Sequence, residues 1–545
     1  LKYWLCLDTA LHVLAMQSLL GVISLLALVS GLHAAFKPPH ILLIVADDLG
    51  WHDVGFRSGQ IRTPNIDRLA ADGVILDQYY VQSVCSPSRA TFLTGRYPLH
   101  NTINDWLVPG QATALPLNET LIPQKLSQAG YRSYATGKWH LGFTAWEHTP
   151  TFRGFESFVG FYTGGEDYFS HMAGGFDFRR DMRPNCGVGC SQLAKREKGI
   201  YSTFVFAEEA VRLIEQHNVS EPLFLYLAFQ AVHAPRQVPA QYSNAYLGVI
   251  EDSNRRDFAG MLTCMDEGIG NVTAALRMKG MLEDSVIVFT TDNGGPITDT
   301  PGGDYVGSRN YPLRGGKHSI WEGGTRGTAA VWAGVGTGLL PKSRRGTHAS
   351  QLMHGADWMP TFCRLAGIAD TCAKSPLDGV DQTGPIFHGT TTTRREVLYG
   401  WHDDAPNLYK PYDTAIRDDQ GWKLLQGWGG KPDSWSQPVN ETCVADESTL
   451  SSILHALPAN SVRLFNVQDD PGEHHEISAS YPDVVARLTA RLTALRAEQV
   501  DVVGGGGHPD PSCPQYDKHA HVDPDLGPIW EPWCKPSGGQ DDIFT

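Results

Sequence analysis

No stretch of this chain concentrates lysine and arginine, no Cys-x-x-Cys pair occurs, and beyond residue 35 no apolar run is long enough to span a bilayer. Each absence excludes something. Binding a nucleic-acid backbone needs clustered cations, and a formal net charge of −15 with a pI near 5.7 argues further against it. Without paired Cys-x-x-Cys spacing, the closely spaced cysteines do not read as a zinc site. No internal repeat is evident, and no stable membrane span is expected after the leader. The acidic balance fits a protein working in an acidic compartment.

What is present is a long chain, 545 residues with 41% apolar side chains, more than one ordinary core usually holds. His40–Ala46 is a continuous aliphatic run, the pattern of a central parallel strand buried on both faces, and Asp47 and Asp48 follow it directly. Tyr131–Ala135, Pro222–Phe229 and Ser285–Thr291 repeat the device, ending at Gly137-Lys138-Trp139-His140, Val232-His233 and Asp292-Asn293. Strand and helix alternate, with Thr63 capping a helix that starts at Pro64 and helical spacing from Arg255 to Lys279. The fold class predicted is α/β, a doubly wound mixed sheet with polar clusters at the carboxyl ends of its strands. Residues 164–198 and 296–314 read as long aperiodic loops that shape a pocket. After the threonine run 390–393 come a hairpin (413–417 with 422–425), a strand at 462–467 and an amphipathic helix over about 481–499. The division expected is residues 1–35 as signal region, 36–393 as catalytic domain, and 394–545 as a smaller α+β domain with an antiparallel sheet.

The run from Met16 to Ala35 has the apolar core and small-residue end of a secretory signal peptide cut near Ala34 or Ala35; whether residues 1–15 are translated stays open. Sequons at Asn118, Asn218, Asn271 and Asn440 agree with secretion, to the lysosome or outside the cell. Setting aside Cys6 and Cys85, the remaining cysteines are even in number, and Cys186/Cys190, Cys363/Cys372 and Cys513/Cys534 are the pairs expected to be bridged. Cys264, in an apolar helical run, is expected to be a free core thiol.

The most informative stretch is Val84–Arg96. A cysteine sits beside a proline, an arginine follows four residues on, and the periodic run after it reads as a helix. Cys85 therefore falls at a helix N-terminus, where backbone N–H groups favour a sulfate or phosphate ester and are expected to lower a thiol's pKa. A tyrosine-phosphatase loop is ruled out, because Thr91 stands where that loop needs arginine.

Cys-x-Pro-x-Arg followed by Leu-Thr-Gly-Arg resembles the signature of the type I sulfatases, and the likeness runs on to arylsulfatase B-like enzymes, the N-acetylgalactosamine 4-sulfatases. It extends from about His40 to Arg491 and includes Gly137–Gly142, Gly165–Tyr168, Leu313–Lys317, Ser319–Gly324, Ala356–Thr361 and Asp469–Glu473. The segment Val108–Leu117 lacks cysteines expected in that enzyme, so a disulfide scheme cannot be carried over whole. The resemblance implies an alkaline-phosphatase-like sheet and oxidation of Cys85 to formylglycine by a formylglycine-generating enzyme. It also implies one Ca²⁺ held by Asp47, Asp48, the modified Cys85, Asp292 and Asn293. The oxygen-rich ligand set independently favours Ca²⁺ or Mg²⁺ over zinc.

By the same resemblance, Arg89 holds the aldehyde hydrate, and Lys138 and Lys317 neutralise sulfate charge. His140 orients or deprotonates the hydrate, and His233 acts with Lys317 to protonate the departing alcohol. The substrate-binding set is Lys138, His233 and Lys317. One hydroxyl of the hydrate attacks sulfur, leaving a covalent sulfate; loss of the other hydroxyl's proton then releases it. The substrate is a sulfate monoester, either an aryl sulfate or a sulfated carbohydrate such as N-acetylgalactosamine 4-sulfate units. Two alternatives are carried: a phosphoester hydrolase of the same superfamily, which Cys85 argues against, and a non-catalytic binder of sulfated glycans.

Overall fold

Leu42 and Ile44 pack into one apolar core while Ile41, Leu43 and Val45 pack into another, so the first strand divides the molecule into two layers. The computed structural model describes residues 37–297, 307–400, 414–430, 433–436, 461–500 and 509–534, and one compact unit begins at Pro39. The signal-peptide region, Asn440 and Cys443 lie outside the described residues.

The large sheet contains, in chain order, β1 (His40–Ala46), β2 (Val74–Leu76), β3 (Arg132–Lys138), β4 (Ser157–Phe161), β5 (Phe178–Asp181), β6 (Gln192–Leu193), β7 (Leu223–Ala228), β8 (Ser285–Thr291), β9 (Ala329–Ala333) and β10 (Thr347–Ala349). Their spatial order is β10-β2-β9-β8-β1-β7-β3-β4-β5-β6. At its centre β8, β1, β7, β3 and β4 run parallel, and β9 and β5 flank them antiparallel. Every residue of β1, β7 and β8 is buried, which is why these segments read as unbroken aliphatic runs instead of alternating ones.

The helices that matter here are α1 (Pro64–Ala71), α2 (Cys85–Thr94), α3 (Ser202–Gln216), α4 (Ser253–Met278), α5 (Trp358–Leu365) and α6 (Pro482–Arg496). Helices α1, α3 and α4 contribute Ile66, Phe206 and Met265 to the layer of Leu42 and Ile44. Helices α2 and α5 contribute Phe92 and Phe362 to the opposite layer. The doubly wound mixed sheet is thus the one expected. Emptying a single position such as Leu43 by an alanine substitution costs about 2–5 kcal/mol.

A second sheet, four antiparallel strands β11 (Glu396–Tyr399), β12 (Thr414–Asp418), β13 (Trp422–Gln426) and β14 (Val462–Asn466), lies in the C-terminal part. One face carries Val397, Ala415, Leu425 and Phe465 against Ile320 and Trp321; the other carries Leu398, Ile416 and Leu424 against Leu488 and Leu492 of α6. Residues 509–534 pack back beside the approach to β5, where Phe176 donates its N–H to the Pro528 carbonyl and Trp530 donates its N–H to the Phe176 carbonyl. Among the described residues no helix is long and apolar enough to cross a membrane.

Two sequence expectations need correction. Residues 164–198 are not all loop: they carry β5 and β6, short strands that extend the sheet antiparallel and whose short, irregular pattern hides them. Thr63 occupies the N-cap position of α1 but makes no cap bond; its hydroxyl accepts from Gly55 N and donates to Asp67 Oδ1 instead. The three expected cystine bridges are present, and Cys264 is a buried free thiol. Asn118, Asn218 and Asn271 are exposed.

Candidate active site

Four adjacent parallel strands deliver their carboxyl ends to one place. β1 is followed by Asp47 and Asp48, β8 by Asp292 and Asn293, β3 ends in Lys138 with His140 two residues on, and β7 leads to His233. Gly137 is required just before Lys138: its φ is +104°, and a Cβ there would fall 1.8 Å from the Ala228 carbonyl oxygen.

Helix α2 enters from the side, with Cys85 as its first residue and Val84 as its cap position. Arg89, one turn on, shares that face of the helix. Every residue of α2 is buried, and Gly95 ends it in the left-handed conformation at φ +70°, donating to the Thr91 carbonyl. The Leu-Thr-Gly-Arg sequence therefore encodes a helix stop.

The charges interlock. Arg89 Nε and Nη2 lie 3.0 and 2.8 Å from Asp292 Oδ2, and Nη1 donates to the Lys138 carbonyl at 3.1 Å. Lys138 Nζ donates to Asp47 Oδ2 at 2.6 Å, and Lys317 Nζ reaches the two oxygens of Asp48 at 2.7 and 2.9 Å. Asn293 Nδ2 donates to Asp48 Oδ1 at 2.8 Å. Ligand atoms of Asp47, Cys85 and Asp292 lie within 4.8 Å of one another, as do those of Asp47, Asp48 and His233. The sequence-identified residues thus all converge. Asp48 and His140 hold φ values of +63° and +56°, uncommon for residues with a side chain and typical of functional sites.

Electrostatics follow from this packing. Burial pushes the Asp47 and Asp48 carboxyls upward, but Lys138 beside the first and Lys317 beside the second outweigh it, and both end below the ordinary range. Asp292, buried and facing Asp47, is pushed up to about 7 despite Arg89. Lys317 is burdened by burial yet held protonated by Asp48. Burial drives His140 well below its ordinary value, with Lys138 adding to the effect, and burial with Lys317 lowers His233. The thiol of Cys85 contradicts the expectation from its helix position: burial raises it, and Lys138 and Lys317 recover only part of the difference. A dipole at a helix end is a weaker effect than loss of water on all sides.

His140 Nε2 donates to the Leu107 carbonyl at 2.9 Å, so the neutral ring leaves Nδ1 as an acceptor, and Nδ1 is buried without a protein partner. His233 Nδ1 donates to the Ala234 carbonyl at 2.7 Å, leaving Nε2 facing Asp48 Oδ2 at 3.8 Å. Sequence reading did not anticipate the supports behind these groups. Tyr168 Oη donates to the His233 carbonyl, Gln230 Nε2 to the Glu166 carbonyl, and the 105–107 segment holds His140. Of these only the Gly165–Tyr168 motif left a mark in the sequence.

Can these residues hold a cation? Asp47 Oδ1 and Asn293 Oδ1 are buried with no hydrogen-bond partner, two hard oxygens left unsatisfied among carboxylates. The donor set fits a divalent ion. Carboxylates and amide oxygen at the carboxyl ends of parallel strands, faced by fixed cations and a helix N-terminus, define an enzyme site for an anionic ester.

Residues 39–368 match the model of the family named Sulfatase. The chain is 36% identical to mouse (Mus musculus) arylsulfatase J, over 92% of this chain and 81% of that one. It is 29% identical to N-acetylgalactosamine-6-sulfatase from dog (Canis lupus familiaris), over 84% of this chain and 86% of the relative. Among solved structures, Ps i-CgsB in complex with k-i-k-neocarrahexaose superposes with a TM-score of 0.67 at 26% identity, covering 89% of this chain and 96% of that one. The chain belongs to the Sulfatase family and is an enzyme that hydrolyses sulfate esters.

Proposed function

We propose that Cys85 is converted to formylglycine by a formylglycine-generating enzyme, and that the chain cleaves sulfate monoesters of carbohydrates in the secretory pathway, in the lysosome or outside the cell. The single observation that carries this reading is the placement of Cys85 at the start of α2, its sulfur within 4.8 Å of ligand atoms of Asp47 and Asp292 and under the charges of Lys138 and Lys317. A carbohydrate is favoured over a simple aryl group because one relative is named for N-acetylgalactosamine 6-sulfate chemistry and one solved neighbour holds a neocarrahexaose. N-acetylgalactosamine 4-sulfate units remain the first substrate to try. Exposed sequon asparagines Asn118, Asn218 and Asn271 and three cystine bridges support passage through an oxidising compartment. In the same reading residues 36–393 form the catalytic domain and 394–545 a smaller C-terminal domain.

Asp47, Asp48, Asp292, Asn293 and residue 85 would hold one Ca²⁺, which when bound would supply positive charge against the sulfate oxygens. Formylglycine, in its hydrated form, would supply a nucleophilic hydroxyl and a second, ionisable hydroxyl. The rest is done by side chains of this chain. Lys138 and Lys317 bind the sulfate oxygens and keep the ester oriented. Arg89, locked to Asp292, fixes the position of residue 85. His140 Nδ1 takes the hydrate proton, since Nε2 is committed to the Leu107 carbonyl. His233 and Lys317 would protonate the leaving oxygen.

Mass spectrometry of the Cys85 peptide from protein made with the generating enzyme should show the aldehyde, and that protein should release sulfate from a sulfated N-acetylgalactosamine. Chelation should abolish turnover and lower the melting temperature, with Ca²⁺ restoring both. An unmodified Cys85 in protein that still hydrolyses sulfate esters would overturn the nucleophile assignment. Far faster turnover of phosphate than sulfate esters would instead favour the phosphoester hydrolase.

A further inference from the structure

Trp106 is 40% exposed, although both residues beside it, Asp105 and Leu107, are buried and Leu107 is fastened to the site. Asp105 Oδ1 accepts the Trp106 backbone N–H at 2.8 Å. Leu107 donates its N–H to Ser86 Oγ at 3.2 Å, next to Cys85, and its carbonyl accepts a hydrogen bond from His140 Nε2. On the other side the Trp106 ring meets His318 edge-on, centroids 6.3 Å apart, and His318 directly follows Lys317. His318 is itself fixed, with φ +72° and its N–H on the Ser83 carbonyl. A large indole is therefore held in the open by a rigid backbone between the segment of residue 85 and the segment of Lys317.

We infer that Trp106 is a substrate-binding residue that stacks on the apolar face of the sugar ring bearing the sulfate. This rests on the reading of the site as a carbohydrate sulfatase and adds the subsite for the alcohol portion. The physical argument is one of division of labour. Lys138, His140, His233, Lys317 and the carboxylates are polar and fit the sulfate and the atoms around it. None of them recognises the carbon skeleton of the leaving alcohol. A pyranose presents one face of C–H groups, and an exposed aromatic plane is the surface that binds it without losing hydrogen bonds to water. Leaving an indole this exposed on a rigid segment forfeits the gain from burying it, and a ligand that covers it recovers that gain. Its ring meets His318, which is outside the proton-transfer groups, so its contribution should be to binding.

The test compares wild type, Trp106→Ala and Trp106→Phe as full-length, formylglycine-bearing enzyme. With a sulfated N-acetylgalactosamine, Trp106→Ala should raise KM on the order of tenfold while kcat stays within about twofold, the size of one lost aromatic stacking contact. Trp106→Phe should fall between the two. Inhibition by inorganic sulfate, which has no ring, should be the same in all three. Calorimetry on the Cys85→Ala protein with the same sugar sulfate should show the affinity loss without turnover. Equal KM and equal affinity in Trp106→Ala and wild type would overturn the assignment, as would a fall in kcat at unchanged KM. A loss confined to aryl sulfates would overturn the sugar-stacking part. Absence of sulfate release from every substrate by the wild type would count against the proposed function instead, so the two failures are distinguishable.

Discussion

Arg89 places two nitrogens, Nε and Nη2, on a single oxygen of Asp292, at 3.0 and 2.8 Å, with both side chains fully buried. The remaining Nη1 donates to the Lys138 carbonyl, so one guanidinium ties α2 to the ends of β8 and β3.

Arg89→Lys is therefore not conservative. An ammonium keeps the charge but cannot supply this planar set of donors in one geometry. The expected loss in kcat/KM is at least about 100-fold, roughly 2.7 kcal/mol of transition-state stabilisation. Since Arg89 also belongs to the Cys-x-Pro-x-Arg motif, the Cys85 peptide of the variant must be weighed by mass spectrometry. Activity near wild type with full modification would refute the positioning role.

Lys423 lies between Glu322 and Glu473, 3.1 Å from one and 2.7 Å from the other, all three side chains inaccessible to water. This cluster joins β13 to the short turn after Trp321, on the segment that carries Lys317. Burial pushes Glu473 up to about 7 even with Lys423 beside it. Lys423→Met should cost about 3–5 kcal/mol near neutral pH by stranding two buried carboxylates. Denaturant unfolding should show the loss shrinking towards pH 4, as the carboxylates take up protons, and partial rescue by the added change Glu322→Gln. A stability change below about 1 kcal/mol at pH 7 would contradict this account.

Asp177 is buried on β5's approach, accepting the Thr163 N–H at 2.7 Å with its other oxygen unpartnered. Burial pushes its carboxyl up to about 7, opposed by Thr163 and Arg179 and reinforced by Glu166. A folded value above the unfolded one means that the stabilising contribution is complete below about 4 and disappears as pH rises through about 7. Wild type should therefore melt higher at pH 5 than at pH 7.5, and Asp177→Asn should reduce that difference by an amount on the order of 1–3 kcal/mol. Scans at one heating rate would measure it; an unchanged pH dependence would show that the carboxyl does not titrate as stated.

Much of this was legible because strong rules operate locally. β1, β7 and β8 are buried on both faces, so they had to be unbroken apolar runs, and the polar residues that end them had to lie on one edge. The strands β5 and β6 were missed because Phe178–Asp181 and Gln192–Leu193 are too short to show a period. The Cys85 thiol was misjudged for a related reason: a helix N-terminus is visible in sequence, whereas complete burial is the sum of many distant chain segments.

The sequence by itself determined the class of chemistry, since Cys85, Arg89 and the acidic strand ends are chemically specific and sit next to their own secondary-structure signals. Only the tertiary structure decided which carboxylate faces which cation, which nitrogen of His140 is left to accept a proton, and that Trp106 stands open beside them. Those relations join residues up to 269 positions apart, as Lys317 and Asp48 are. Separation on that scale carries no local pattern, and only the packing of the sheet brings such groups within bonding distance.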